Sequence, residues 1–327
     1  MSRRVPVFGA TLGIAVAMAP SAYAQLPPAP APPPPAPAPA AGKASFKVAG
    51  GLPTKKVRYY ARDQQVVVRG VVKPYVAGQA MTLEVVRRGK VAFRRSAAVR
   101  PGGRFAFRFK AKRRGNMRLV VKHAATPQQA AFRAKDKRAA IVRWTAGYGA
   151  KGTHVLLLQR TLQSLGFAVP VTGYFDDGTA RAVTAYRKTN GMGTTGYADA
   201  SLYDKVFRHR GAFRLRYPRA GKHVEFDWSR QVLVLARKGK PWRVYHASSG
   251  TPATPTVFGT FRFYLKTPGT NAKGMVDSSY FIRGYAIHGY ASVPTYPASH
   301  GCIRVPIPNA RDIFDNIAIG ETIYVYT

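Results

Sequence analysis

The chain has 327 residues, with 52 Lys and Arg against 13 Asp and Glu, a formal charge of +39 and one cysteine. A single cysteine excludes an internal disulfide and leaves packing, intermolecular pairing, metal ligation or catalysis. A field of that size draws polyanions. The arginines are spread through every segment without a recognition-helix pattern, which argues against nucleic acid and for the anionic polymers and phospholipid headgroups of a cell envelope. A general bias toward basic exported proteins explains the charge equally well.

The first elements are read as targeting and spacing. "MSRR" is a basic start, "VPVFGATLGIAVAMA" a short apolar run, and "PSAYAQ" ends it with Ala22 and Ala24 flanking Tyr23. That is the pattern of a secretory signal over 1–24, cleaved after Ala24. The alternative is a membrane anchor, but the run is shorter than the ~20 residues of a spanning helix. "LPPAPAPPPPAPAPAAGKA" follows. Its prolines exclude helix and favour extended polyproline II, so 25–45 is a semi-rigid linker or a plain tail.

Residues 46–136 read as strands. "GRFAFRFK" sets Phe105, Phe107 and Phe109 on one face, with Ala106, Arg108 and Lys110 on the other. Met81, Leu83 and Val85 repeat that period of two, as do Met117, Leu119 and Val121. "RRGK" and "RPGGR" are turns between strands. Short strands at this spacing predict an immunoglobulin-like β-sandwich, a spacer or binding module without a catalytic cluster.

The period changes over 137–212. Val155, Leu158, Leu162 and Leu165 share a helical face that Gly166 ends. Asp176 or Asp177 can cap a second helix with Thr179, Ala182, Val183 and Tyr186 on one side, and a third runs near 199–207. With Gln159, Gly173, Phe175, Thr195 and Gly196, these positions resemble the three-helix peptidoglycan-binding domain. The resemblance implies glycan binding. Arg187 stands where that family usually has glutamine, so a purely structural bundle is the alternative.

From 213 to 327 strands return, with one helix in "IPNARDIFDNI". Cys302 lies here, in "ASHGCIRVP". A thiol needs a base or a positive neighbour to become a nucleophile, and His288, His300 and Arg304 are available. Gly301 permits a tight turn whose amides can face a developing oxyanion. Zinc on two histidines and a cysteine is the alternative, but His300-x-Cys302 is too tight for the common zinc spacings. A buried structural thiol, with Arg304 paired to Asp312 or Asp315, is another.

"IHGYASVPTYPASHGCIRVP" resembles the signature of the L,D-transpeptidases, and "FDWSRQVLVL", "ASSGT" and "FGTF" precede it in the family's order. Val257 replaces a proline common there. The resemblance implies a mostly-β catalytic domain that needs no cofactor and no metal. It implies that Cys302 attacks a peptidoglycan stem peptide, releases the terminal D-alanine, and passes the acyl group from a thioester to an amine, giving a 3→3 cross-link. His288 would be base and acid, oriented by the carbonyl of Gly289. His300 would hold geometry and the donor's carbonyl oxygen. Arg304, Ser299, Gly301 and Tyr280 would complete the substrate-binding set, and carbapenem-type compounds would inhibit. A hydrolase on the same site (an L,D-carboxypeptidase) and a non-catalytic wall-binding protein are the rivals. Either way the expected location is outside the cell, in the wall or periplasm.

Overall fold

A computed structural model describes residues 38–327 and two single positions, Gly9 and Gly13. The signal and most of the linker therefore lie outside the described residues. Among those described, no helix is long and apolar enough to cross a membrane.

Ten strands come first: β1 (Lys43–Ala49), β2 (Leu52–Pro53), β3 (Arg58–Tyr60), β4 (Gln65–Lys73) and β5 (Ala80–Arg87), then β6 (Lys90–Ala98), β7 (Arg104–Lys110), β8 (Gly115–His123), β9 (Phe132–Arg133) and β10 (Lys137–Ile141). They form two sheets, β1-β4-β7 and β2-β3-β10-β8-β5-β6, with β9 on β8. The alternation read in the sequence decides what faces inward. Phe105 and Phe107 from one sheet meet Met81, Leu83, Met117 and Leu119 from the other in a single buried cluster. The sandwich exceeds 46–136 at both ends. β1 pairs with β4 from Lys43, and β10 pairs with β8 as far as Ile141, because Ala139, Ala140 and Ile141 are apolar enough to be buried there.

The bundle holds α1 (Thr153–Ser164), α2 (Asp177–Thr189) and α3 (Ala200–Phe207). Asp176 caps α2 through Thr179 N–H, and Asp199 caps α3 through Leu202 N–H, whereas α1 has no side-chain cap. The last part contains β11 (His223–Asp227), β12 (Val232–Arg237), β13 (Lys240–His246), β14 (Gly259–Arg262), β15 (Leu265–Thr270), β16 (Val276–Ile282), β17 (Tyr285–Tyr290), β18 (Ile303–Pro306), α4 (Ile307–Asn316) and β19 (Thr322–Tyr326). Two sheets result, β13-β12-β11-β19-β14 and β15-β16-β17-β18. Their shared core includes Leu233, Leu235, Phe281, Ile287, Ile303 and Ile313.

β12 is buried on both faces. Leu233 and Leu235 point into that core, while Val232 and Val234, with Val244 of β13, join the cluster of the helical bundle. A strand covered on both sides is a continuous apolar run instead of an alternating one, and "VLVLA" is such a run. The bundle therefore packs directly on the sheet that contains β12 and β13.

Candidate active site

β17 and β18 run parallel as neighbours, with His288 opposite Arg304 and Ile287 opposite Ile303. Cys302 immediately precedes β18, so the thiol and the imidazole emerge from adjacent strands. His288 is buried, at 4% exposure, and Cys302 is half-buried. The Nδ1 of His288 lies 2.9 Å from the carbonyl of Gly289. A carbonyl only accepts, so Nδ1 carries the proton and Nε2 is left to accept one. The Cys302 thiol donates a long contact of 3.6 Å to the Gly284 carbonyl.

Burial sets the protonation of both groups. It raises the Cys302 thiol above its ordinary value, against smaller lowering effects from the Ala286 backbone, Arg304 and Lys273. It lowers His288, with the Gly289 bond opposing and Arg304 adding to the shift. Desolvation disfavours whichever form is charged. The directions of the two shifts leave a neutral thiol and a neutral imidazole at rest near neutral pH.

The turn that presents Cys302 is fixed on several sides. Gly301 has φ of 110°, and a Cβ there would lie 2.3 Å from Cε1 of Tyr285, so only glycine fits. Its carbonyl accepts a 2.7 Å bond from the hydroxyl of Thr256, and its N–H donates 3.0 Å to Ser299 Oγ. Ser299 is buried, and its hydroxyl donates to the Cys302 carbonyl at 2.5 Å. A Cβ on Gly250 would come within 2.8 Å of Gly301 Cα, so that second glycine allows the close approach.

The other sequence-predicted residues fall in distinct places. Arg304 donates to the Ala298 carbonyl at 3.0 Å and covers the Tyr290 ring at 4.0 Å. It pairs with neither candidate aspartate: Asp312 meets Arg243 and Tyr245, and Asp315 meets Arg311. His300 is exposed, and among the described residues its side chain makes no hydrogen bond. Tyr280 is half-buried on β16, its ring near Tyr264. Gly289 packs against Ala310 of α4, where a Cβ would come within 2.7 Å.

Sequence reasoning gave no role to Thr256, Gly250 and Tyr285, which hold the turn from distant positions. It also missed Lys188. This lysine of α2 is buried, and its ammonium donates to the carbonyls of Gln231 and Ala247 and to Nδ1 of His246, at 3.1, 2.8 and 2.8 Å. The Nε2 of His246 then donates 2.9 Å to Val293, in the segment between His288 and Cys302. Burial pulls Lys188 down to about 7, and burial with the nearby Lys188 charge pulls His246 down to about 4. Its sequence neighbours, Arg187 and Thr189, gave no sign of that burial.

Comparison with known proteins decides the family. Residues 221–325 match the L,D-transpeptidase catalytic domain, and 151–206 match a putative peptidoglycan-binding domain. The L,D-transpeptidase of Xylanimonas cellulosilytica is 30% identical, with a TM-score of 0.53; the match covers 98% of that chain and 57% of this one. The chain belongs to the L,D-transpeptidase family. L,D-transpeptidases of Stackebrandtia nassauensis (21% identity, TM-score 0.36, 56% of this chain and 95% of that one) and Mycobacterium tuberculosis (18%, 0.31, 33% and 58%) are more distant. None of the curated proteins compared matches. The protein is a transpeptidase-type enzyme with a helical peptidoglycan-binding domain.

Arg187, the departure from that binding domain's pattern, is buried and donates to Tyr197 O, Gly193 O and Asp199 at 2.9, 3.1 and 2.5 Å. It ties α2 to the loop before α3, and its donors face inward.

Proposed function

We propose that the protein is an exported cysteine L,D-transpeptidase that forms 3→3 cross-links in peptidoglycan. The observation that carries this is His288, with its proton held on Nδ1 by Gly289, on the strand beside the glycine turn of Cys302. Cys302 Sγ attacks the carbonyl carbon of the third stem residue while Nε2 of His288 takes the thiol proton. The C–N bond to the terminal D-alanine then breaks, and His288 returns that proton to the leaving amine. The acyl group is now a thioester. An amine of a neighbouring stem attacks it, loses a proton to His288, and leaves the cross-link and the free thiol. Water in place of the amine gives the carboxypeptidase outcome.

Arg304, Ser299, Gly301 and Tyr280 form the donor side of the site in this reading, with His300 at its solvent edge. The bundle holds glycan, and the charge of the chain holds anionic envelope polymers. The sandwich is an immunoglobulin-like spacer, a reading supported by its strand order of β1-β4-β7 against β10-β8-β5-β6. The location is the wall or periplasm.

The test is intact mass after incubation with a tetrapeptide muropeptide or a carbapenem. The expected result is one acyl adduct on the wild type and none on Cys302→Ala. An adduct on Cys302→Ala overturns the assignment of the nucleophile. Cross-linked dimers among the products support transfer; tripeptide alone supports hydrolysis.

A further inference from the structure

The charge of this protein is not evenly distributed. Residues 43–141 hold 26 Lys and Arg against 3 Asp and Glu, a surplus of 23 within the total of +39. All three acids there are already paired: Asp63 with Arg62, Glu84 with Arg94 and Lys122, and Asp136 with Arg118 and Arg133. The remaining cations of the sandwich have no carboxylate of their own domain to meet.

Six of them line one groove of about 1160 Å³: Lys47, Arg69, Arg100, Arg104, Arg108 and Lys137. No acidic residue lines it. All six are exposed, and among the described residues none of their side chains makes a hydrogen bond or ion pair. The register explains how four of them come together. Lys47 lies directly opposite Arg69, Val71 opposite Arg104, and Val67 opposite Arg108. These rows share the outward face of the β1-β4-β7 sheet, since the inward rows carry Phe46, Phe105 and Phe107. Rows on one face are about 7 Å apart along a strand. Like charges directly opposite one another destabilise a sheet. Lys47 beside Arg69 therefore weakens the free protein, and a bound anion would relieve that repulsion.

We propose that the outer face of the β1-β4-β7 sheet is a binding groove for a linear polyanion. Arginine forks suit phosphate and carboxylate oxygens alike. A membrane surface fits less well: the lining aromatics, Phe46 and Phe105, are buried, and the rest of the apolar lining carries no aromatic ring to enter lipid. The groove deepens the envelope reading by giving the anionic partner a site, but it does not depend on the chemistry at Cys302.

The experiment uses the full chain and linear polyphosphate as probe. The groove variant is Arg69→Ala/Arg104→Ala/Arg108→Ala. The control is Lys55→Ala/Lys56→Ala/Lys90→Ala, which removes the same charge from exposed positions of the same domain that do not line the groove. Binding at about 0.1 M salt, where the screening length is about 10 Å, separates local contacts from the general field. The groove variant is expected to lose about tenfold or more in affinity, and the control about threefold or less. Its melting temperature is expected to stay equal or rise, which separates lost contacts from lost fold. Equal losses in both variants overturn the proposal. So does groove-dependent binding to anionic phospholipid vesicles with no groove dependence for polyphosphate. Acylation of Cys302 is measured in parallel and is expected to be unchanged in both variants, so a failure of the transpeptidase reading is seen independently of the groove.

Discussion

Gly301→Ala tests how the proposed nucleophile is held. The residue sits at φ of 110°, where an alanine is strained by roughly 1–3 kcal/mol. Its Cβ would also lie 2.3 Å from the Tyr285 ring, and overpacking of that kind costs roughly 1–3 kcal/mol. The turn has little freedom to give way, because Thr256, Ser299 and the Gly250 backbone hold it from three sides. The ring must move instead, and the total expected loss of stability is about 2–6 kcal/mol. Denaturant unfolding measures it. Acylation by a carbapenem, followed by intact mass, is expected to slow by about 100-fold, since an ångström of misplacement at a reacting atom costs that much. The double variant Tyr285→Ala/Gly301→Ala removes the clash and leaves the backbone strain, so relative to the sum of the single variants it is expected to recover about 1–3 kcal/mol. A Gly301→Ala protein that loses under about 1 kcal/mol and acylates normally refutes the account. If the double variant recovers nothing, the cost does not come from Tyr285.

Burial raises Cys302 and lowers His288, so iodoacetamide alkylation is expected to be slow near neutrality and still rising above about pH 9; a plateau near pH 7 would indicate a resting ion pair instead. His288→Ala is expected to lower turnover by roughly 10²–10⁴-fold, and His300→Ala by much less, each with unchanged circular dichroism. His246 has a folded pKa of about 4, below the ordinary 6.5, so the unfolded state binds the extra proton first as pH falls. Its contribution is intact above pH 6.5 and falls by about 3 kcal/mol by pH 4, and unfolding of wild type and His246→Gln at both ends of that window should show a shallower loss in the variant. Arg187→Ala removes three inward bonds and is expected to cost about 3 kcal/mol in denaturant unfolding, whereas a solvent-facing arginine would cost almost nothing.

Much of the candidate site was legible because its residues are close in sequence. His288, Ser299, Gly301, Cys302 and Arg304 fall within one run of 17 positions, and each has a chemical reason to be there. The strands of the sandwich were legible for a related reason: Phe105 and Phe107 alternate with Arg104, Ala106 and Arg108, which are exposed, and one covered face imposes a period of two. The limits of the sandwich were not. Lys43 and Ile141 join its sheets through partners at Lys73 and Gly115, and pairing over such separations leaves no local trace.

The sequence by itself determined a candidate nucleophile, its candidate base, the strand and helix periods, and the surplus of positive charge. All are properties of residue type and near spacing. Tertiary structure alone decided what meets what. "VLVLA" states that both faces of β12 are covered, but only packing shows the bundle on one side and the catalytic core on the other. Lys188 reads as one more surface cation until the fold buries it against His246, because its three acceptors come from residues 43, 58 and 59 positions away. Thr256 reaches the Gly301 carbonyl across 45 residues. Lys47 and Arg69 repel each other only because β1 folds back along β4 in that register. Local spacing fixes which groups are available, and chain reversal fixes which of them touch.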